Sequence, residues 1–341
     1  MELRTKFTEA YGLSTPIAQA GMAFVASTPE LPVAVSNAGA LGALGVGLMP
    51  APVLTQVIAG IRAGTERPFN VNFITGFTQP DQIDAVCAAA VPVVSFHWGH
   101  PPRAWIDRLH AAGVRVFEQV GSVEAAERAA GDGIDVVVAQ GLEAGGHNYA
   151  TLPTFALVPL VVDAVARAAG GAGAPPLVLA AGGIADGRGL AAALMLGADG
   201  AWIGTRLVAS DESGAHDGYK ERLVAAGPTA TVRTSLFGPE TPDFNPMRVL
   251  RNRVVDEFPQ LPPPDAPRPV IGRTSLGGPE IDVPRFANLV PMRGVTSGDL
   301  DEMPLLAGQG VGLIDAVKGA GSLISDITAQ AKEIISRYAG S

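Results

Sequence analysis

The stretch Gly141–His147 reads GLEAGGH and sets two glycines directly before a histidine. Histidine titrates near neutral pH and can act as base or hydrogen-bond donor, which suits proton abstraction beside an electron-withdrawing group. Two glycines there let the backbone crowd a planar ligand while the imidazole faces a pocket. A lone loop histidine is more often hydrogen-bonded for structure, so its surroundings must decide. Two further glycine signals lie downstream. LVLAAGGIADGRGL sets Gly182-Gly183 between an apolar run and a helix starting near Asp186, and DGAWIGTRLV repeats the arrangement about twenty residues later with Gly204-Thr205. Glycines admit an anion close to the backbone, and amide N–H groups at a helix start can cradle phosphate. Thr205 adds a hydroxyl donor.

Weaker candidates follow. His97 and His100 flank Trp98 in SFHWGHP, where His97 could line a substrate pocket or simply pack. Asn72, in FNVNFI, ends an apolar run where its amide could address a cofactor ring edge or make an ordinary strand-end bond. Gln119 closes another such run. His110 and His216 read as solvated, and Cys87 as a small buried hydrophobe without a basic partner nearby in sequence.

Something must bring these residues together. Short apolar or β-branched runs recur at Pro16–Gln19, Gly42–Val46, Phe69–Ile74, Val91–Phe96, Val114–Gln119, Ile134–Ala139, Leu177–Ala180 and Gly200–Ile203. Helical patterns at Pro52–Ala63, Asp81–Ala89, Ala104–Ala112, Val123–Ala130, Pro159–Ala169 and Gly187–Leu196 lie between most of them. Nearly continuous apolar strands are buried on both faces and pair in parallel. About eight of them alternating with helices predict an α/β fold, a (β/α)₈ TIM barrel, with a doubly wound open sheet as the alternative. Asn72, His97, Gln119, His147, Gly182-Gly183 and Gly204-Thr205 then fall at the C-terminal exits of strands, the face on which such barrels carry their sites. Residues 1–210 plus 306–341 are expected to form the barrel. Residues 211–305, rich in proline and polar residues, are expected to form a smaller, partly helical inserted cap with a helix at Arg248–Glu257 and a long loop around Pro259–Pro269. Helical periodicity returns over Gly308–Ala339.

Composition narrows the function. The chain has 341 residues, 47% hydrophobic and 17% charged, which fits a well-buried enzyme rather than a disordered segment. A net charge of −9 without a basic cluster argues against nucleic acid. One cysteine allows no internal disulfide, and no Cys/His grouping has zinc spacing, so no metal site is expected. No apolar leader or membrane-length run is seen, so a cytoplasmic enzyme free of the membrane is expected.

Several stretches taken together resemble the nitronate monooxygenase family, FMN-dependent barrel enzymes formerly called 2-nitropropane dioxygenases. They are TPIAQAGMA, SNAGALGALG, FNVNF, SFHWG, FEQVGSVEAAERAAGDGIDVVVAQGLEAGGH, LVLAAGGIADG, GADGAWIGTRLV, RVLRNRVVDE and AGQGVGLI, covering nearly the whole chain. The resemblance implies that Ala20, Gly21 and Met22 pack beside the flavin of FMN, and that Asn72 and Gln119 hydrogen-bond to it. It implies that Gly146, Gly182, Gly183, Gly204 and Thr205 hold its phosphate. His147 would act as base or orient the substrate, a nitroalkane or nitronate that O2 converts to a carbonyl compound and nitrite. The chain departs from the family at Asn148-Tyr149-Ala150, where relatives often carry Arg-Gly, and at His97-Trp98-Gly99-His100. His97, Trp98 and Asn148 are therefore candidates for the substrate pocket. The same barrel and GGH motif also resemble FMN-dependent enoyl-ACP reductases, which use NAD(P)H. A non-catalytic flavin-binding barrel is a third reading. The expected partners are a small-molecule substrate and O2, and the residues leave a homo-oligomer open.

Overall fold

A computed structural model describes residues 3–168, 174–263 and 265–339. Eight parallel strands form the central sheet: β1 Ile17–Gln19, β2 Gly42–Gly45, β3 Phe69–Ile74, β4 Val93–His97, β5 Arg115–Val120, β6 Val136–Gln140, β7 Leu177–Ala181 and β8 Gly200–Ile203. The order is β1-β8-β7-β6-β5-β4-β3-β2. The ring closes where Gln19 N donates to Leu41 O (2.8 Å) and Leu41 N to Ile17 O (3.0 Å). The fold is a (β/α)₈ barrel, and each strand lies within about two residues of its expected run.

The core explains the closure. Ala18, Leu41, Val93, Phe117, Val136, Val138, Leu179, Ala181 and Trp202 fill the barrel interior. A second set on the alternate faces, including Val71, Phe73, Val94, Phe96, Val116 and Val137, packs outward on the surrounding helices. Inward and outward side chains are both apolar, which is why the strands read as unbroken apolar runs.

Two helices ahead of β2 escaped the sequence reading. Lys6–Tyr11 starts from a reciprocal Thr5–Thr8 capping box. Its Phe7 and Tyr11 rings meet Phe117 at 6.2 and 5.2 Å and close the barrel floor. Glu30–Asn37 links β1 to β2 and buries Leu31 and Val35. The helices expected between the strands form with small shifts, and their caps follow the sequence. Ser122 accepts from Ala125 N, and Asp186 from Arg188 N and Gly189 N. The helix expected over Pro159–Ala169 begins earlier, at Thr154, and carries Pro159 inside it; Ala169 lies outside the described residues.

The segment following β8 departs most from expectation. Its helices before residue 300 are Thr205–Val208, Asp217–Ala225 and the five-residue Arg253–Glu257, and the rest of its regular structure there is largely β. The helix expected at Arg248–Glu257 is instead half strand. Met247–Leu250 pairs antiparallel with Thr231–Thr234, and Asn252 then caps a short turn of helix. All four residues of Met247–Leu250 are buried, Met247 and Val249 in one apolar cluster and Leu250 in another, the two-faced arrangement of a strand. Another small sheet joins Val270–Thr274 to Ile281–Pro284 and Ser297–Gly298. The expected helical run over Gly308–Ala339 also divides. Gln309–Leu313 is a 3₁₀ turn, and the helix proper is Ala320–Ala339. Gly308 and Gly310 cross the barrel mouth so closely that a Cβ would meet Glu143 O at 2.8 Å and Gly183 O at 3.0 Å. The long helix then packs Leu323, Ile324 and Ile327 in one cluster with Leu31 and Leu190 and completes the outer ring.

Candidate active site

The C-terminal strand ends and the inserted segment enclose a cavity of about 510 Å³, within the usual range for small-molecule sites. Ala20, Gly21, Met22, Asn72, His97, Gln119, Gly146, His147, Gly182, Gly183, Gly204 and Thr205 all line it. The convergence follows from topology, because each residue follows or ends a strand of one parallel barrel.

Local geometry shows why several of these positions are glycine. A Cβ on Gly21 would lie 2.0 Å from Asn72 Cγ. The Asn72 amide donates to Ser95 Oγ at 2.8 Å, so it cannot swing away without losing that bond. Gly182 has φ +110° and would press a Cβ to 2.7 Å from Thr154 Oγ1. Gly183 has φ +73°. Thr205 Oγ1 accepts from Gly308 N at 3.0 Å, which leaves its own O–H to donate.

His147 is held from both sides by the inserted segment. Its Nδ1–H donates to Phe244 O at 2.5 Å, and the Phe244 ring stacks on the imidazole at 3.4 Å. That bond fixes the tautomer, so Nε2 carries the lone pair and accepts from the Asn288 amide at 3.1 Å. The backbone of Gly146–His147 pairs antiparallel with Met247–Arg248, which sets the ring's height above the barrel. Burial, with a smaller contribution from His97, pushes the His147 pKa down to about 3, partly offset by the Phe244 bond. Burial likewise pushes His97 down to about 4. Its Nδ1 accepts from Gln119 Nε2 at 2.7 Å, so His97 carries its proton on Nε2. Both rings are neutral at pH 7.

Two of the pocket candidates lie elsewhere. Asn148 is fully buried, and its amide donates to the Gly141, Leu142 and Ala144 carbonyls at 3.0, 3.3 and 3.1 Å while Oδ1 accepts from Ala150 N. It staples the GGH loop and does not line the cavity, because a side chain so fully engaged has nothing left for a ligand. Trp98 sits behind His147, with ring centroids 5.7 Å apart, and outside the cavity lining.

Other lining residues were absent from the sequence reading: Gln140, Trp202, Phe244 and Asn288. Gln140 ends β6 as Gln119 nearly ends β5, so the same strand-exit logic could have found it. Nothing local marks Asn288 or Phe244, which arrive from far along the chain. The Gln140 Oε1 and Trp202 Nε1 atoms are buried without a partner. Orphaned polar atoms, close-set glycines and an apolar lining together fit a planar, phosphorylated ligand.

The barrel and its mouth define a (β/α)₈ protein with a small-molecule cavity at the strand ends, and comparison with known proteins gives the family. The nitronate monooxygenase family model matches residues 4–85 and 73–330. The chain belongs to that family, whose members are flavin-dependent oxidoreductases. It is 39% identical over 259 residues to a Mycobacterium tuberculosis protein named (3aS,4S,5R,7aS)-5-hydroxy-7a-methyl-1-oxo-octahydro-1H-indene-4-carboxyl-CoA dehydrogenase, covering 76% of this chain and 69% of that one. A probable nitronate monooxygenase of Staphylococcus saprophyticus is 30% identical, with 99% of this chain and 100% of that one covered. Among solved structures, FabK from Thermotoga maritima superimposes with a TM-score of 0.77 at 32% identity, over 99% of each chain. No helix among the described residues is long and apolar enough to cross a membrane.

Proposed function

We propose that the chain binds FMN in the barrel mouth and oxidises nitronates with O2 to a carbonyl compound and nitrite, with His147 orienting the substrate. The observation that carries this reading is the convergence of His147 with the glycine exits of β7 and β8 on one cavity. Amides of Gly182, Gly183 and Gly204 with the Thr205 hydroxyl would hold the phosphate, while Ala20, Gly21, Met22, Asn72 and Gln119 would bracket the ring system. The flavin, when bound, supplies the one-electron chemistry and oxygen reactivity that side chains lack.

The low basicity of His147 bears on which substrate form is used. A ring so costly to charge is a poor acceptor for the α-proton of a nitroalkane, which favours a substrate that arrives already ionised as the nitronate. The anion would then raise the basicity of Nε2, and a proton taken up there would donate back to the nitronate oxygen. Residues 1–210 plus 306–341 would carry the cofactor, and 211–305 would cover it and supply Phe244 and Asn288.

A second reading rests on the 39% identity to a CoA-thioester dehydrogenase. There the same barrel would exchange electrons with a nicotinamide or an acyl thioester. One experiment separates the two. The absorbance spectrum of the purified protein is taken first, then nitrite release from alkyl nitronates in air is compared with anaerobic bleaching by NADPH. Nitrite release without bleaching supports the oxidation of nitronates; rapid bleaching with no nitrite sinks it. A colourless protein that refuses added FMN would sink both.

A further inference from the structure

The segments His97–His100 and Asn148–Ala150 meet in space. The Tyr149 ring packs edge-on against the Trp98 indole, with centroids 5.1 Å apart. Trp98 also sits against Phe244 at 5.2 Å and His147 at 5.7 Å. Its Nε1–H donates to Asp243 O at 2.8 Å. The very next carbonyl, Phe244 O, is the one that takes the Nδ1–H of His147. Two consecutive carbonyls of one segment are thus held, one by the barrel rim and one by the candidate active-site histidine.

Trp98 is fixed in turn. Its backbone lies at φ +60°, a region that disfavours a bulky side chain and persists only where neighbours over-determine it. Thr75 Oγ1 bonds to His97 O (3.2 Å) and Gly99 O (3.0 Å) on either side. His100 then wedges between two carboxylates, Nδ1 at 2.8 Å from Glu118 Oε2 and Nε2 at 2.9 Å from Asp132 Oδ2. Glu118 is 2% exposed and precedes Gln119, the partner of His97, so the wedge ties this loop to the strand that lines the cavity.

We propose that Trp98 is a positioning residue, which acts through Asp243–Phe244 to hold His147 in the tautomer whose Nε2 accepts. Without the indole N–H, the Asp243–Phe244 segment keeps its aromatic packing but loses the bond that sets its carbonyl direction. The Phe244 carbonyl is then held only by the turn bonds of its own segment, Phe244 N to Thr241 O and Asn245 N to Pro242 O, and the His147 ring samples both tautomers. The catalytic consequence rests on the substrate-facing role proposed for His147; the tautomer consequence does not.

The test uses flavin-loaded protein with ¹⁵N-labelled histidines, comparing wild type with Trp98→Phe, which retains a ring and removes the donor. Long-range ¹H–¹⁵N spectra resolve the five histidines, and His147 is assigned from His147→Gln. Wild type should give a single Nδ1–H tautomer at His147. Trp98→Phe should give a mixture, with the His147 titration moved further down, because the Phe244 bond that offsets part of the burial is loosened, and kcat on nitronates lowered about 10- to 100-fold, the cost of a small misplacement. An unchanged His147 tautomer and titration in Trp98→Phe would overturn the proposal, whatever the change in melting temperature. If that variant does not fold, His100→Gln releases the same loop from Glu118, and an unperturbed His147 there overturns it equally. Should wild type fail to turn over nitronates, the tautomer comparison still decides, so the two readings fail separately.

Discussion

Lowering the pH from 8 to 5 should remove about 4 kcal/mol of stability through His147 and His97 alone. Both rings are buried neutral, with pKa values of about 3 and about 4 against an ordinary 6.5. The folded values lie below the unfolded one, so between them the unfolded chain binds more protons and stability falls as pH drops through 6.5. At pH 5 the unfolded rings are almost fully charged while the folded ones remain mostly neutral. Each therefore costs about 1.4 kcal/mol per unit over the roughly 1.5 units below 6.5, or about 2 kcal/mol. Both folded values lie below 5, so the total depends little on how far below. At that pH neither folded ring is charged enough to repel the other, so the two contributions add. Urea unfolding at pH 8 and pH 5 measures the loss in wild type, His147→Gln, His97→Asn and the double variant, with the carboxylates common to all four. Each single variant should lose about 2 kcal/mol less than wild type over the interval, and the double variant about 4 less. A double variant with the same pH slope as wild type would refute the buried-neutral assignment of both rings.

Other outcomes follow from the same geometry. His147→Ala should retain the yellow colour and lower turnover of nitronates by about 10²- to 10⁴-fold, read from nitrite release; equal activity would remove His147 from the chemistry. Gly182→Val should weaken FMN binding at least about tenfold, because φ +110° and Thr154 at 2.7 Å leave no room for a side chain. A variant purified with a full flavin absorbance band would contradict it. Asn148→Ala should destabilise the fold by about 1–3 kcal/mol in urea, since it removes a buried amide that donates to three loop carbonyls and leaves Gly141 O and Leu142 O only Ala144 N and Arg248. A large change in substrate KM without loss of stability would instead return Asn148 to the pocket.

Much of the barrel was legible because its strands are buried on both faces, and a run such as VVVAQ at Val136–Gln140 shows that burial in its own composition. The Gly182-Gly183 exit was legible for a related reason. A backbone at φ +110° or +73° favours glycine, and the pair records that in the sequence. Lys6–Tyr11 was hidden by its brevity: six residues stand only because Phe7 and Tyr11 find Phe117 beneath the barrel. Met247–Leu250 was misread because four residues followed by a helix-capping asparagine carry too little periodicity to separate strand from helix.

What the sequence determined by itself was the order of strands and helices, and the identity of the residues leaving each strand. The state of those residues was decided in three dimensions. His147 owes its tautomer to Phe244, 97 positions away, and its Nε2 partner to Asn288, 141 positions away. Asn148 and Trp98 stand next to cavity-lining histidines in the chain, yet one is spent on loop carbonyls and the other on Asp243. Local sequence records what a backbone must be able to do, through burial period and glycine. It carries no record of which distant carbonyl or amide will come within 3 Å, and that distance sets a side chain's protonation and its chemistry.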